Sequence, residues 1–191
     1  MKAEYFDGQT FENIDFTETS FAKGEYDRCT FINCALAGID LSGCLFLDCS
    51  FTSCNLSMVN LSDTAFRDVA FNGCKMLGLQ FSRCNKFSII FSFDDCNLTH
   101  SSFIELKLKK TSFRNTILHE VDFTASDLSG SAFDNCDLSG AIFDNTDLTQ
   151  SDLRTAYGYS IDPDINRVKN AKVSSSGLSG FLNKYNLDIE P

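Results

Sequence analysis

Large apolar residues recur at every fifth position of this chain. One series runs Phe6, Phe11, Phe16, Phe21, Tyr26, Phe31, Leu36, Leu41, Phe46, Phe51, Leu56, Leu61, Phe66, Phe71, Met76 and Phe81. A second runs Phe93, Leu98, Phe103, Leu108, Phe113, Leu118, Phe123, Leu128, Phe133, Leu138, Phe143, Leu148 and Leu153. Sixteen of the 19 phenylalanines belong to these two series, so nearly all the aromatic content is committed to one pattern. A helix repeats every 3.6 residues and a strand every two, so neither gives a period of five. The pattern is that of an internal repeat.

A second slot keeps the same phase. All nine cysteines, Cys29, Cys34, Cys44, Cys49, Cys54, Cys74, Cys84, Cys96 and Cys136, stand two residues before a position in the five-residue phase, which for Cys84 is Lys86, where the first series breaks. Chance agreement of nine phases is on the order of one in several hundred thousand. Val59, Thr64, Ser101, Thr111, Ser131 and Ala141 share the slot, so it selects for small side chains. A free cysteine serves there as a small buried hydrophobe.

Segments such as CDLSG, SDLRT and VDFTA, recurring about every five residues from residue 4 to about 155, resemble the pentapeptide-repeat family. The resemblance implies an all-β fold, a right-handed quadrilateral β-helix. Four pentapeptides make one square coil of about 20 residues, and coils stack at about 4.8 Å. The sequence supports the longer period independently. Phe93, Phe113 and Phe133 fall 20 apart, as do Leu98, Leu118 and Leu138, then Phe103, Phe123 and Phe143, then Leu108, Leu128 and Leu148. Phe11, Phe31, Phe51 and Phe71 make an earlier column. On this fold Cys34, Cys54 and Cys74 stack on one side and Cys29 with Cys49 on the next, inward and unreactive. No metal site or cofactor is expected. His100 and His119 lie outside the cysteine row, and a zinc site needs converging ligands.

The chain divides into coils over residues 1–84, a register-breaking insert at 85–92, further coils over 93–156, and a C-terminal part at 157–191. The insert holds two extra residues in CNKFSII and is expected to bulge outward, with a kink of the stack left open. Phe87, Ile89 and Ile90 are expected to tuck beneath it, with an exposed binding loop the other reading. Val168 and Val173 remain in phase, so one degraded coil continues, with SIDPD as a turn. Leu178, Phe181, Leu182 and Tyr185 have i, i+3, i+4, i+7 spacing, which predicts a short C-terminal α-helix with a serine N-cap. Leu187 and Ile189 could follow as an extended segment. The helix face is expected to plug the coil end and to form a homodimer interface, a use that members of the Qnr type make of a C-terminal helix.

Charge changes the picture next. With 26 acidic and 16 basic residues the net charge is −10, which disfavours direct binding to nucleic acid or an anionic membrane. No apolar run suits a membrane helix and the N-terminus has no signal-peptide pattern, so a cytoplasmic location and free thiols are expected. No G-x-S-x-G, Walker, Rossmann or H-E-x-x-H motif occurs, and a packed rod offers no catalytic pocket, so the expected protein is not an enzyme. His100 with Glu120, and Arg114, Asp134 and Arg154, are expected as surface ladders. Between Arg114 and Arg154 there is no Lys or Arg, yet there are Glu120, Asp122, Asp127, Asp134, Asp137, Asp144, Asp147 and Asp152. Glu120, Asp122, Asp127, Asp137, Asp144 and Asp147 form the candidate acidic surface. The family resemblance, toward its Qnr and MfpA type, implies a DNA mimic that binds a type II topoisomerase (DNA gyrase or topoisomerase IV) and protects it from quinolones. Aspartate before the central Phe or Leu also belongs to the family consensus, and an interaction scaffold with an unrelated partner is the alternative.

Overall fold

A computed structural model describes residues 4–188. The chain winds as a parallel β-solenoid of about 7 turns, the quadrilateral β-helix that the five-residue period requires. Its four sides follow the four columns. The first side carries strands Glu4–Asp7, Gly24–Asp27, Leu45–Leu47 and Ala65–Arg67 in a 4-stranded parallel sheet. The second carries Thr10–Glu12, Thr30–Ile32, Ser50–Thr52, Val69–Asn72, Phe91–Asp94, Ser112–Arg114 and Ala132–Asp134 in a 7-stranded sheet. The third and fourth are tied by single bridges, such as Ile117 to Asp137 and Ser102 to Asp122.

The core is a stack of rings. On the second side Phe11, Phe31, Phe51, Phe71, Phe93, Phe113 and Phe133 lie nearly parallel, with centroids 4.6 to 5.3 Å apart. Phe81, Phe103, Phe123 and Phe143 stack likewise on the fourth side. All nine thiols are free and buried. Those of Cys34, Cys54, Cys74 and Cys96 each donate to backbone carbonyls of their own coil and the one before, so the small slot is also a hydrogen-bonded one.

Corners have a common conformation. Non-glycine residues at positive φ, among them Asn33, Asp48, Asn115, Ala125 and Asn145, fall two residues after a central position. Gly8, Gly43, Gly73 and Gly130 occupy the same slot with the same backbone. Asn and Asp tolerate the left-handed region better than other side chains, which explains their abundance there.

The insert corrects one expectation. Val69 pairs with Phe91 and Phe71 with Phe93, so the two extra residues are absorbed within the first side. The rings of Phe71 and Phe93 stay 5.3 Å apart at 9°, and those of Phe81 and Phe103 4.6 Å apart at 7°. Ring stacking therefore runs unbroken past the insert on the second and fourth sides. Ile89 packs against the core, but Phe87 and Ile90 are exposed, against the expectation that all three tuck in.

The C-terminal α-helix is likewise corrected. Leu178–Phe181 and Asn183–Tyr185 are two 3₁₀ turns that meet at Leu182. Gly177 is the cap and supplies no side chain, while Ser174 Oγ accepts the Gly177 N–H at 3.1 Å. Two glycines and four serines between residues 174 and 181 disfavour an α-helical nucleus. Ile189 lies outside the described residues. No helix among them is long and apolar enough to cross a membrane.

Candidate functional site

The aspartates before the central residue each hold their own corner. Oδ1 of Asp122 accepts the Thr124 N–H at 2.9 Å, that of Asp127 the Ser129 N–H at 3.1 Å, that of Asp137 the Ser139 N–H at 3.0 Å and that of Asp147 the Thr149 N–H at 3.0 Å. Ser129 and Ser139 hydroxyls donate to the same oxygens. This is the Asx-turn geometry, and it commits one carboxylate oxygen to the backbone.

In three of these aspartates the second oxygen meets a basic side chain from an adjoining coil. Lys109 stands 3.2 Å from Asp127, Arg167 3.4 Å from Asp147, and His119 Nε2 2.7 Å from Asp137. His100 lies 3.2 Å from Glu120, the expected ladder contact. The other expected ladder rearranges: Arg114 pairs with Asp94, Asp134 accepts the Thr155 hydroxyl at 2.8 Å, and Arg154 turns to Asp152 at 2.7 Å. Partial burial opposes ionisation of Asp127, yet hydrogen bonds from Ser129 and Lys109 hold its carboxyl below the usual carboxylate range. In Asp137, burial is likewise outweighed by His119 and Ser139.

The six candidate carboxylates do not make one surface. The bridges place Asp127 and Asp147 on the first side, Asp137 on the third and Asp122 on the fourth. Glu120 follows the third side at its corner, and Asp144 follows Phe143 on the fourth. Of the six, Asp122 and Asp144 have no basic partner within ion-pair distance among the described residues, and they share a side on successive coils.

At the C-terminal end, Leu178 (51% exposed), Leu182 (37%) and Tyr185 (55%) face outward with Tyr157, Ile165 and Leu187. The plug is a different residue. Tyr159 is buried, with Phe181 edge-on at 5.6 Å, and Ile161 is buried beside it in the core. Gly177 and Gly180 let the backbone lie against Tyr159, since a Cβ on Gly177 would come within 2.1 Å of its hydroxyl oxygen and one on Gly180 within 2.6 Å of its ring. Lys184 ties the segment to Asp162 at 2.6 Å and to Asp164. Among the four expected interface residues, Phe181 therefore belongs to the cap and the other three to the outer surface.

Family models for a pentapeptide repeat region match residues 25–92, and models for pentapeptide repeats match 92–130 and 116–154. The chain belongs to the pentapeptide-repeat family. Comparison with curated proteins gives no match. Among solved structures, this pentapeptide-repeat protein is similar to a trypsin-treated variant of QnrB1, a plasmid-mediated fluoroquinolone resistance protein. TM-score is 0.68 and identity 20%, covering 100% of this chain and 93% of that one. HetL, a pentapeptide-repeat protein involved in heterocyst differentiation regulation in the cyanobacterium Nostoc sp. Strain PCC 7120, aligns at TM-score 0.36 and 16% identity. That alignment covers 90% and 89% of the two chains.

Sequence reasoning missed Tyr159, Gly177 and Gly180. Their signal was present but weak: in this pentapeptide-repeat protein Gly158 falls at the central slot one coil after Leu138, and an aromatic neighbour takes over the filling.

Proposed function

We propose that this pentapeptide-repeat protein is a non-enzymatic, cytoplasmic binding protein of the Qnr type. It acts as a homodimer on a type II topoisomerase in place of DNA and shields that enzyme from quinolones. The observation that carries the reading is the end-to-end match with the QnrB1 solenoid. The net charge of −10 supports it, since an acidic rod suits a surface built for duplex DNA. The exposed apolar residues Leu178, Leu182 and Tyr185 supply an end on which a second copy can pack. Asp122 and Asp144, uncompensated and on the same side of successive coils two positions out of register, are the carboxylates best placed to meet a basic partner.

The test is gyrase supercoiling with and without a fluoroquinolone, at micromolar protein. Protection by the wild type and weaker protection by Asp122→Asn combined with Asp144→Asn is expected. No effect of the wild type on either reaction overturns the topoisomerase reading.

One observation favours the scaffold reading. The candidate carboxylates spread over three sides, and four of six are met by Lys, Arg or His. A rod with such balanced sides fits a protein partner recognised by pattern rather than by bulk negative charge.

A further inference from the structure

The middle of the first side is basic, against the net charge of the chain. Three consecutive coils meet there, at residues 64–67, 84–90 and 106–110. These segments hold Arg67, Lys86, Lys107, Lys109 and Lys110 and no Asp or Glu, in a chain whose net charge is −10. Lys86 and Lys109 are engaged by Glu105 and Asp127, at 3.1 and 3.2 Å. Arg67, Lys107 and Lys110 have no carboxylate within ion-pair distance among the described residues. Lys107 and Lys110 are exposed, and the buried Nε of Arg67 has no hydrogen-bond partner.

The insert raises apolar side chains on this same side. Phe87 is 70% exposed and Ile90 57%, although the core has room for Ile89 and Phe91 from the same segment. The Arg67 guanidinium carbon lies 5.8 Å from the Phe87 ring centre, which holds the ring in place over a cation. An exposed aromatic and an exposed aliphatic residue on a bulge, with basic residues on the same and the adjoining coils, have the composition of a protein-binding surface.

We propose that this bulge is a docking surface for an acidic protein segment that carries a large apolar anchor residue. The anchor packs on Phe87 and Ile90, and its flanking carboxylates meet Arg67, Lys107 and Lys110. Charge complementarity selects the occupant. The basic field spans only three coils, roughly 10 to 15 Å at the usual strand spacing, which suits a short segment. Asp63, Asp68, Glu105 and Asp127 bound it, and a long polyanion such as nucleic acid would run onto them. The proposal is independent of the topoisomerase reading, which rests on other sides of the rod.

Random heptapeptides displayed on phage and selected on the full chain provide the test. Enrichment of sequences that combine several Asp or Glu with a large apolar residue is expected. Labelled selected peptides should bind Phe87→Ser, and Lys107→Glu combined with Lys110→Glu, at least roughly tenfold more weakly than wild type. All three positions are exposed, and circular dichroism melting should show the variants folded. Binding should also weaken as salt rises. Selected peptides without acidic excess, unchanged affinity in both folded variants, or tighter binding of a single-stranded oligothymidylate probe would each overturn the proposal.

Discussion

The ring of Phe91 lies 5.4 Å from that of Phe66 and at 60° to it, filling interior that Lys86 leaves vacant in the next coil. Position 86 continues the column of Phe46 and Phe66, yet its lysine is exposed. Phe91 enters from the small-residue slot, opposite Val69, and is bounded also by Phe71, Phe81 and Phe93. Phe91→Ala should therefore cost about 3 to 5 kcal/mol in urea denaturation, as a core aromatic does. Phe87→Ala, four residues earlier but exposed, should cost less than about 0.5 kcal/mol. Equal costs at the two sites would mean that the ring exchange is absent.

The corner aspartates separate charge from structure. Asp127→Asn and Asp137→Asn keep the oxygen that accepts the backbone N–H and should leave the melting temperature nearly unchanged. Alanine at either position removes that acceptor and should cost about 1 kcal/mol. If asparagine proves as damaging as alanine, the contacts with Lys109 and His119 matter more than the turn.

Ala125 sits at φ 55° with neither the freedom of glycine nor a side chain that can bond the turn. Ala125→Gly should stabilise the fold by about 1 kcal/mol, seen as a higher urea midpoint with an unchanged slope. A lower midpoint would show that the left-handed corner is not strained.

Burial pushes the Cys49 thiol up to about 11 and the Cys136 thiol up to about 12, from an ordinary 9.0. Above pH 9.0 the unfolded chain loses these protons while the folded chain keeps them. Stability should thus be insensitive to these groups below that pH and fall between it and about 12. Denaturation midpoints of Cys49→Ala and Cys136→Ala should fall less steeply with pH than those of the wild type. Parallel profiles would exclude the thiols as the cause.

Light scattering should give the mass of a dimer for the wild type and of a monomer for Leu182→Asp combined with Tyr185→Asp. Phe181 is a poor choice for this purpose, because its ring contacts Tyr159 and a charge there would disturb the cap. A dimer mass in the double variant would move the interface elsewhere.

The ring columns were legible because each large apolar side chain at a central position points inward, so a linear count at five and at 20 recovers them. The exchange between Lys86 and Phe91 was not, since it depends on one coil's vacancy being reached from the adjoining slot. Charge was misjudged for a similar reason. Counting between Arg114 and Arg154 shows no Lys or Arg, but Lys109, His119 and Arg167 reach Asp127, Asp137 and Asp147 across coils. The C-terminal spacing of Leu178, Phe181, Leu182 and Tyr185 suggested a helix, and the glycines that press on Tyr159 replaced it with tighter turns.

Keeping the two surplus residues inside one edge of the square has a geometrical outcome for the whole rod. Every later edge still looks out in the same direction as its counterpart upstream, with Phe93 directly following Phe71. A gain of one complete pentapeptide would instead swing everything downstream through a quarter turn and cut each lengthwise stripe in two. Length can therefore grow without twisting the pattern only by whole coils, while small outward blisters are free to appear at any corner.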